Sequence, residues 1–200
     1  MDNPAQELLT VSFSSMKTMR HLLALLVSLL VTSNLSAQTE HVKFLGIPLD
    51  GTIQQFQNEL TDMGCSDGKV FLQLEGMKAF KGSYAGHDAL LMVFYDKTID
   101  VVYQAKAVIS CQGVDNCESV FNEINEHLQT KYGTFLSTKS IQYEHDSYGY
   151  TILSPQRVVM GVVGLFVTKE ENSPNGYSVQ VQYTDTANLR VHERQQSDDN

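Results

Sequence analysis

The residues able to do chemistry in this chain are few and scattered. Six histidines occur, and two of them, His87 and His145, directly precede an aspartate. His87-Asp88 reads as the start of a strand, where adjacent side chains point to opposite faces, so the pair cannot form one dyad unaided. His145-Asp146 lies in YEHDSYGY, which reads as a hairpin turn. His41, His127 and His192 fall on a strand start, a helix and the tail, without HExxH or other ligand spacing, and no metal site is expected. Asp96 and Asp100 bracket a turn, but so few oxygens do not make a calcium loop. The sequence has no GxSxG elbow and no cysteine with a neighbouring histidine. The run GVVGLF lacks the order of a dinucleotide-binding loop, so no cofactor is expected. An enzyme would therefore need a site assembled from distant residues, around His87, His145 and an acid; that is the alternative reading.

Cysteine and tyrosine offer more. In an oxidising compartment two of Cys65, Cys111 and Cys117 are expected to bridge, with one thiol left over. Cys111 and Cys117 flank QGVDN, which could close as a small loop between a strand and a helix; Cys65 pairing with either remains open. CxxxxxC without a convergent histidine is a poor zinc pattern. Tyr84, Tyr95, Tyr143, Tyr148, Tyr150, Tyr177 and Tyr183 all fall in expected strands or turns. Tyrosine brings large contact area with few rotors and a polar tip, which suits recognition. The candidates for partner contact are Tyr143, Tyr148 and Tyr150, the last two on one side of a strand. The same residue type also fills half-buried strand positions.

These residues need elements to position them. Ile53, Phe56, Leu60 and Met63 recur at helical spacing, predicting a helix over 52–63 with Asp50 or Thr52 at its start and Gly64 at its end. Strand-like segments follow: KVFLQLEG, MKAFKGSYAG, HDALLMVFYD and TIDVVYQAKAVIS, with YDKT as a tight connection. Val101, Tyr103, Ala105, Ala107 and Ile109 alternate with Val102, Gln104, Lys106 and Val108, and Ala89 to Tyr95 reads as a central strand. Asp115 and Glu118 then form a capping pair for a second helix ending at Gly133, with Val120, Phe121, Ile124, Leu128 and Tyr132 as its stripe. Four more strand-like segments follow, FLSTKSIQYEH, SYGYTIL, QRVVMGVVGLFVT and GYSVQVQYTD. After Val191 the chain is almost free of apolar residues, so 188–200 reads as a polar tail, a frayed helix or disordered.

Ahead of all this, MKTMRHLLALLVSLLVTSNLSA at Met16 has a basic start, an apolar run and a small-residue exit. It reads as an export signal preceded by an upstream extension, together residues 1–37, with the start codon at Met1 or Met16. The apolar run is far short of the ~20 residues a spanning helix needs, so no membrane span is expected after cleavage. From residue 38 on, 12 Lys and Arg face 21 Asp and Glu, for a net charge of −9. That balance opposes nucleic-acid phosphates, and nucleic-acid binding is set aside.

The segments KFLGIPLDGTIQQFQNEL, FKGSYAGHDALLMVFYD, LQTKYG and VQVQYTDTAN resemble those of a group of uncharacterised small secreted proteins of Gram-negative bacteria. The helix-then-strands pattern resembles the beta-lactamase-inhibitor-protein-like fold, whose members bind other proteins through a sheet face and its loops. What this implies is an α+β domain over 38–187. Its antiparallel sheet would come from two helix-plus-four-strand repeats, about 41–110 and 111–187, with the helices on one face. The expected role is a secreted or periplasmic non-enzymatic binding module. Its open sheet face would take an unknown protein partner or a second copy, the residual apolarity of Val158, Met160, Val162 and Phe166 motivating that face.

Overall fold

The computed structural model describes residues 40–68, 74–133, 136–137, 147–169 and 176–198, all within one unit, Glu40–Asn200. The expected signal over 1–37 and the candidates Tyr143 and His145 lie outside the described residues.

Short turns set the course of the chain. Strands β1 (Lys43–Phe44) and β2 (Ile47–Pro48) form a hairpin whose two central residues, Leu45 and Gly46, have φ of 52° and 89°. That geometry matches the right-handed twist of the strands it joins. Helix α1 (Ile53–Asp62) follows, started by a capping box. The Thr52 hydroxyl accepts the Gln55 amide at 3.2 Å, and the Gln55 side-chain oxygen accepts the Thr52 amide at 2.9 Å. Ile53, Phe56 and Leu60 are buried as the periodicity predicts, whereas Met63 is the C-cap residue and largely exposed.

Next come β3 (Ser66–Asp67), β4 (Met77–Tyr84), β5 (His87–Asp96) and β6 (Val101–Gln112). Helix α2 (Val114–Tyr132) then leads to β7 (Leu136–Ser137), β8 (Ser147–Leu153), β9 (Val159–Lys169), β10 (Gly176–Asp185) and a third helix, α3 (Thr186–Asp198). β3 to β10 form one eight-stranded sheet in the order β3-β4-β5-β6-β10-β9-β8-β7, antiparallel throughout. The architecture is α+β with an antiparallel sheet, and no described helix is long and apolar enough to cross a membrane.

Alternation assigns the faces. Phe80, Leu91, Ala107, Val181, Leu165 and Tyr148 are successive partners across six strands and share one face. Helices α1 and α2 lie on it: Gln57 of α1 accepts from Lys78, and Phe121 of α2 sits 5.2 Å from the Tyr148 ring. The β1-β2 hairpin joins them there through Phe44, whose ring contacts Tyr84 and Tyr183. Burial of these side chains is the main stabilising term of the fold, at ~25 cal/mol for each Å² of apolar surface removed from water.

Four expectations change on contact with the coordinates. The predicted alternation of β6 holds from Ala105 onward, but a bulge between β5 and β6 shifts the register, so Val102 is buried in place of Val101 and Tyr103. Asp115 and Glu118 do not cap α2. The chain instead turns at Gly113 (φ 83°), which makes no side-chain cap, and the Gln112 amide donates to Asn116 Oδ1 at 3.1 Å. The polar tail over 188–200 is helical through Asp198, because polar contacts rather than an apolar stripe hold it. Asp185 Oδ1 accepts the Asn188 amide at 3.0 Å, and Asn188 Nδ2 donates to Leu49 O at 2.6 Å. Finally, the helices do not all share a face. His192 of α3 bonds Asp96, which alternation on β5 places opposite Leu91 and Val93.

Candidate functional site

The face of the sheet turned away from α1 and α2 is built in rows. One runs Lys81, Leu90, Val108, Gln180, Phe166, Ser147; the next runs Ala79, Met92, Lys106, Gln182, Gly164, Gly149; a third begins at Met77 and Phe94 and crosses Gln104, Thr184 and Val162. Leu90, Met92, Phe94 and Val108 make an apolar area on one side and Val162 and Phe166 another, with the glutamines of β10 between them. Val162 is 44% exposed. Gln180 Nε2 is tied to Thr168 Oγ1 at 3.1 Å, so the middle of the strip is ordered rather than free to rotate.

Lys106 stands near the centre. Its ammonium lies 5.6 Å from the centroid of the Phe166 ring, a cation–π contact. Half-burial among its neighbours pushes its pKa below the usual lysine value of 10.5. Among the described residues none supplies a carboxylate to it. The three rows hold two lysines, Lys81 and Lys106, and no acid. By contrast Asp115, Glu118, Glu123 and Glu126 are all exposed on α2, on the other side of the sheet.

The tyrosines expected to meet a partner are placed elsewhere. Tyr148 and Tyr150 do point to one side of β8, but that side is under α2. Tyr150 is 1% exposed and its hydroxyl donates to Asn125 Oδ1, while burial raises its pKa to about 12. They belong to the core and not to an exposed contact. The reason is one of parity: alternation shows that two residues share a face, never which face a distant helix will cover. Tyr84 and Tyr183 are likewise interior, with hydroxyls 2.8 Å apart and burial as the largest cause of their raised pKa values.

The histidines are dispersed. His87 Nε2 is 3.2 Å from Glu123 on α2, His41 Nδ1 is 3.0 Å from Asp185, and His192 Nδ1 is 2.7 Å from Asp96. Each therefore has its own carboxylate, and the structure brings no two of them together. Asp185 also accepts the Val42 amide at 3.0 Å, which fastens the start of the described chain to the start of α3. Asp96 accepts the Thr98 and Ile99 amides in the β5-β6 turn. Its burial works to raise its pKa, and the His192 imidazole and these two amides together outweigh it, so the net displacement is downward from 3.8. His192 also stacks on Tyr103 at 4.3 Å between ring centroids. Sequence reasoning missed this cluster because Tyr103 and Asp96 precede His192 by 89 and 96 positions, a separation no local spacing encodes. No group of three or more His, Cys, Asp or Glu among the described residues is arranged to hold a metal ion.

No disulfide joins Cys65, Cys111 and Cys117 in this structure. Cys111 and Cys117 are both buried, and burial first, with the neighbouring Cys111 thiol adding to it, raises the Cys117 pKa. Cys65 is half-buried beside Gly82 of β4.

No family model, curated protein or solved structure matches the chain.

Proposed function

We propose that the chain is a secreted or periplasmic binding module whose open sheet face takes a protein partner. The observation that carries this reading is Lys106: a half-buried ammonium held over Phe166, with no carboxylate partner among the described residues, on a sheet face with apolar rows of an acidic protein. Leaving a charge partly buried and unpaired is costly, and a partner carboxylate would recover that cost on binding. Leu90, Met92, Val108 and Phe166 supply apolar contact around it, the arrangement of a polar anchor within an apolar interface core. The partner accordingly presents an acidic side chain flanked by apolar ones. The two helix-and-strand halves, about 41–110 and 111–187, are read as a repeat. The order β3-β4-β5-β6 against β7-β8-β9-β10, joined through β6 and β10, supports this. In this reading α1 and α2 cover the opposite face, and α3 closes only the end of the binding face.

The test is affinity capture from envelope extracts with the wild-type chain, with Lys106→Glu, and with Glu126→Lys on the helix side. Lys106→Glu is expected to lose at least tenfold in capture, ~1.4 kcal/mol, while Glu126→Lys keeps it. Equal capture by all three overturns the reading. Sedimentation at rising concentration distinguishes a second copy as the partner: a dimer abolished by Lys106→Glu would identify it.

A further inference from the structure

The connection between β6 and α2 is as short as a strand-to-helix junction can be. Gly113 alone separates Gln112, the last residue of β6, from Val114, the first of α2. Its φ of 83° turns the chain there, and the next-to-last side chain of the strand and one in the first turn of the helix enter the same buried cluster. Those side chains are Cys111, 6% exposed, and Cys117, 1% exposed. Two hydrogen bonds fix the turn between them: Gln112 amide to Asn116 Oδ1 at 3.1 Å and Cys117 amide to Gly113 O at 3.2 Å. The Cys111 Sγ has no better acceptor than Ile109 O at 3.7 Å, and Cys111 is near enough to Cys117 to add to the burial that raises the Cys117 pKa. Cys65 is elsewhere. Its Sγ would lie 2.6 Å from a Cβ added at Gly82, and Gly82 is on β4, separated from β6 by β5.

We propose that Cys111 and Cys117 are joined as a disulfide that fastens the first turn of α2 to the end of β6, leaving Cys65 as the single thiol. This goes beyond the binding role and does not depend on the open face. The oxidant is a disulfide-containing species, such as oxidised glutathione or an oxidised thiol–disulfide oxidoreductase. One cysteine thiolate attacks the oxidant's disulfide, forming a mixed disulfide and releasing one oxidant thiol. The other cysteine thiolate then attacks the protein sulfur of that mixed disulfide, forming the Cys111–Cys117 bond and expelling the second oxidant thiol. Two protons and two electrons leave the protein, and the oxidant's disulfide is reduced to two thiols. Because both sulfurs are buried in the fold, the exchange belongs to the folding chain, before α2 has docked.

The experiment unfolds and reduces the full chain, refolds it in a glutathione redox buffer, alkylates it under denaturing, non-reducing conditions, and maps the digest. The Cys111 and Cys117 sites are expected to resist alkylation and to appear two hydrogens lighter than the dithiol form, becoming alkylated only after reduction. Cys65 is expected outside the linkage, and Cys65→Ser to form the same bond. Alkylation of both Cys111 and Cys117 in the refolded chain overturns the proposal, as does a linkage that includes Cys65. Neither outcome alters the expected behaviour of Lys106→Glu, so the two readings fail separately.

Discussion

At the scale of single residues, the account turns on a few side chains whose surroundings leave no slack. Gly161 on β9 is one: a Cβ there would collide with the Thr184 carbonyl and with Val42 of the N-terminal segment. Since the first obstacle is backbone in the neighbouring strand, it cannot swing away. Gly161→Ala is expected to destabilise the chain by at least about 2 kcal/mol in chemical denaturation, whereas Gly164→Ala, which meets only the Phe166 ring at 3.7 Å, costs far less. Asp96 gives the pH dependence. Its folded pKa is depressed, so the stability it contributes is present above the ordinary carboxylate value of 3.8 and is lost as pH falls through the lower folded value. Asp96→Asn should therefore narrow the difference between melting temperatures at neutral and strongly acid pH; an unchanged difference would refute the assignment. Little of this was legible in the sequence. Asp96 read as a turn residue, which it is, but its bond to His192 arises only when α3 folds back across the end of the sheet. Gly161 carried no signal at all, because the approach of Val42 is a tertiary fact.

At the scale of elements, the helices and strands were largely readable, and the exceptions have physical causes. The α1 and α2 stripes appeared directly in the spacing of Phe56 and Leu60, and of Val120, Ile124 and Leu128, because a helix with one buried face writes that face into its sequence. Leu128→Ala, at a fully buried position, is expected to cost about 2–5 kcal/mol, measured by urea unfolding. Cys117 was missed as a core residue because cysteine was weighed for its chemistry rather than its size. The β5-β6 bulge was invisible because an inserted residue changes which side chains are buried without changing composition. α3 escaped because its hold on the sheet is polar, through Asp185, Asn188 and His192. The disulfide proposed between β6 and α2 closes a loop of only a few residues, so chain entropy gives it about 2 kcal/mol. The oxidised chain should melt higher than its reduced form by an amount of that order, read by calorimetry with and without reductant.

At the scale of the whole molecule, the arrangement separates two surfaces. One is a layer of helices bearing exposed acids; the other is a sheet face with apolar rows, two lysines and no acid in the three rows described. The residual apolarity expected on the strands, through Met160, Val162 and Phe166, falls on the side of the sheet turned away from α1 and α2. Of the tyrosines expected there, Tyr148 and Tyr150 lie on the side under α2 instead, because which parity faces the helices is decided by packing alone. That sheet face is what gives the molecule its proposed role, and it can be probed in place. A photo-reactive amino acid substituted for Val108, in the first row of that face beside Lys106, is compared with the same residue at Gln129, exposed on α2. On irradiation in the envelope, the account predicts a protein adduct from position 108 and none from position 129. An adduct only from position 129, or none from 108 while the chain remains folded, would contradict it.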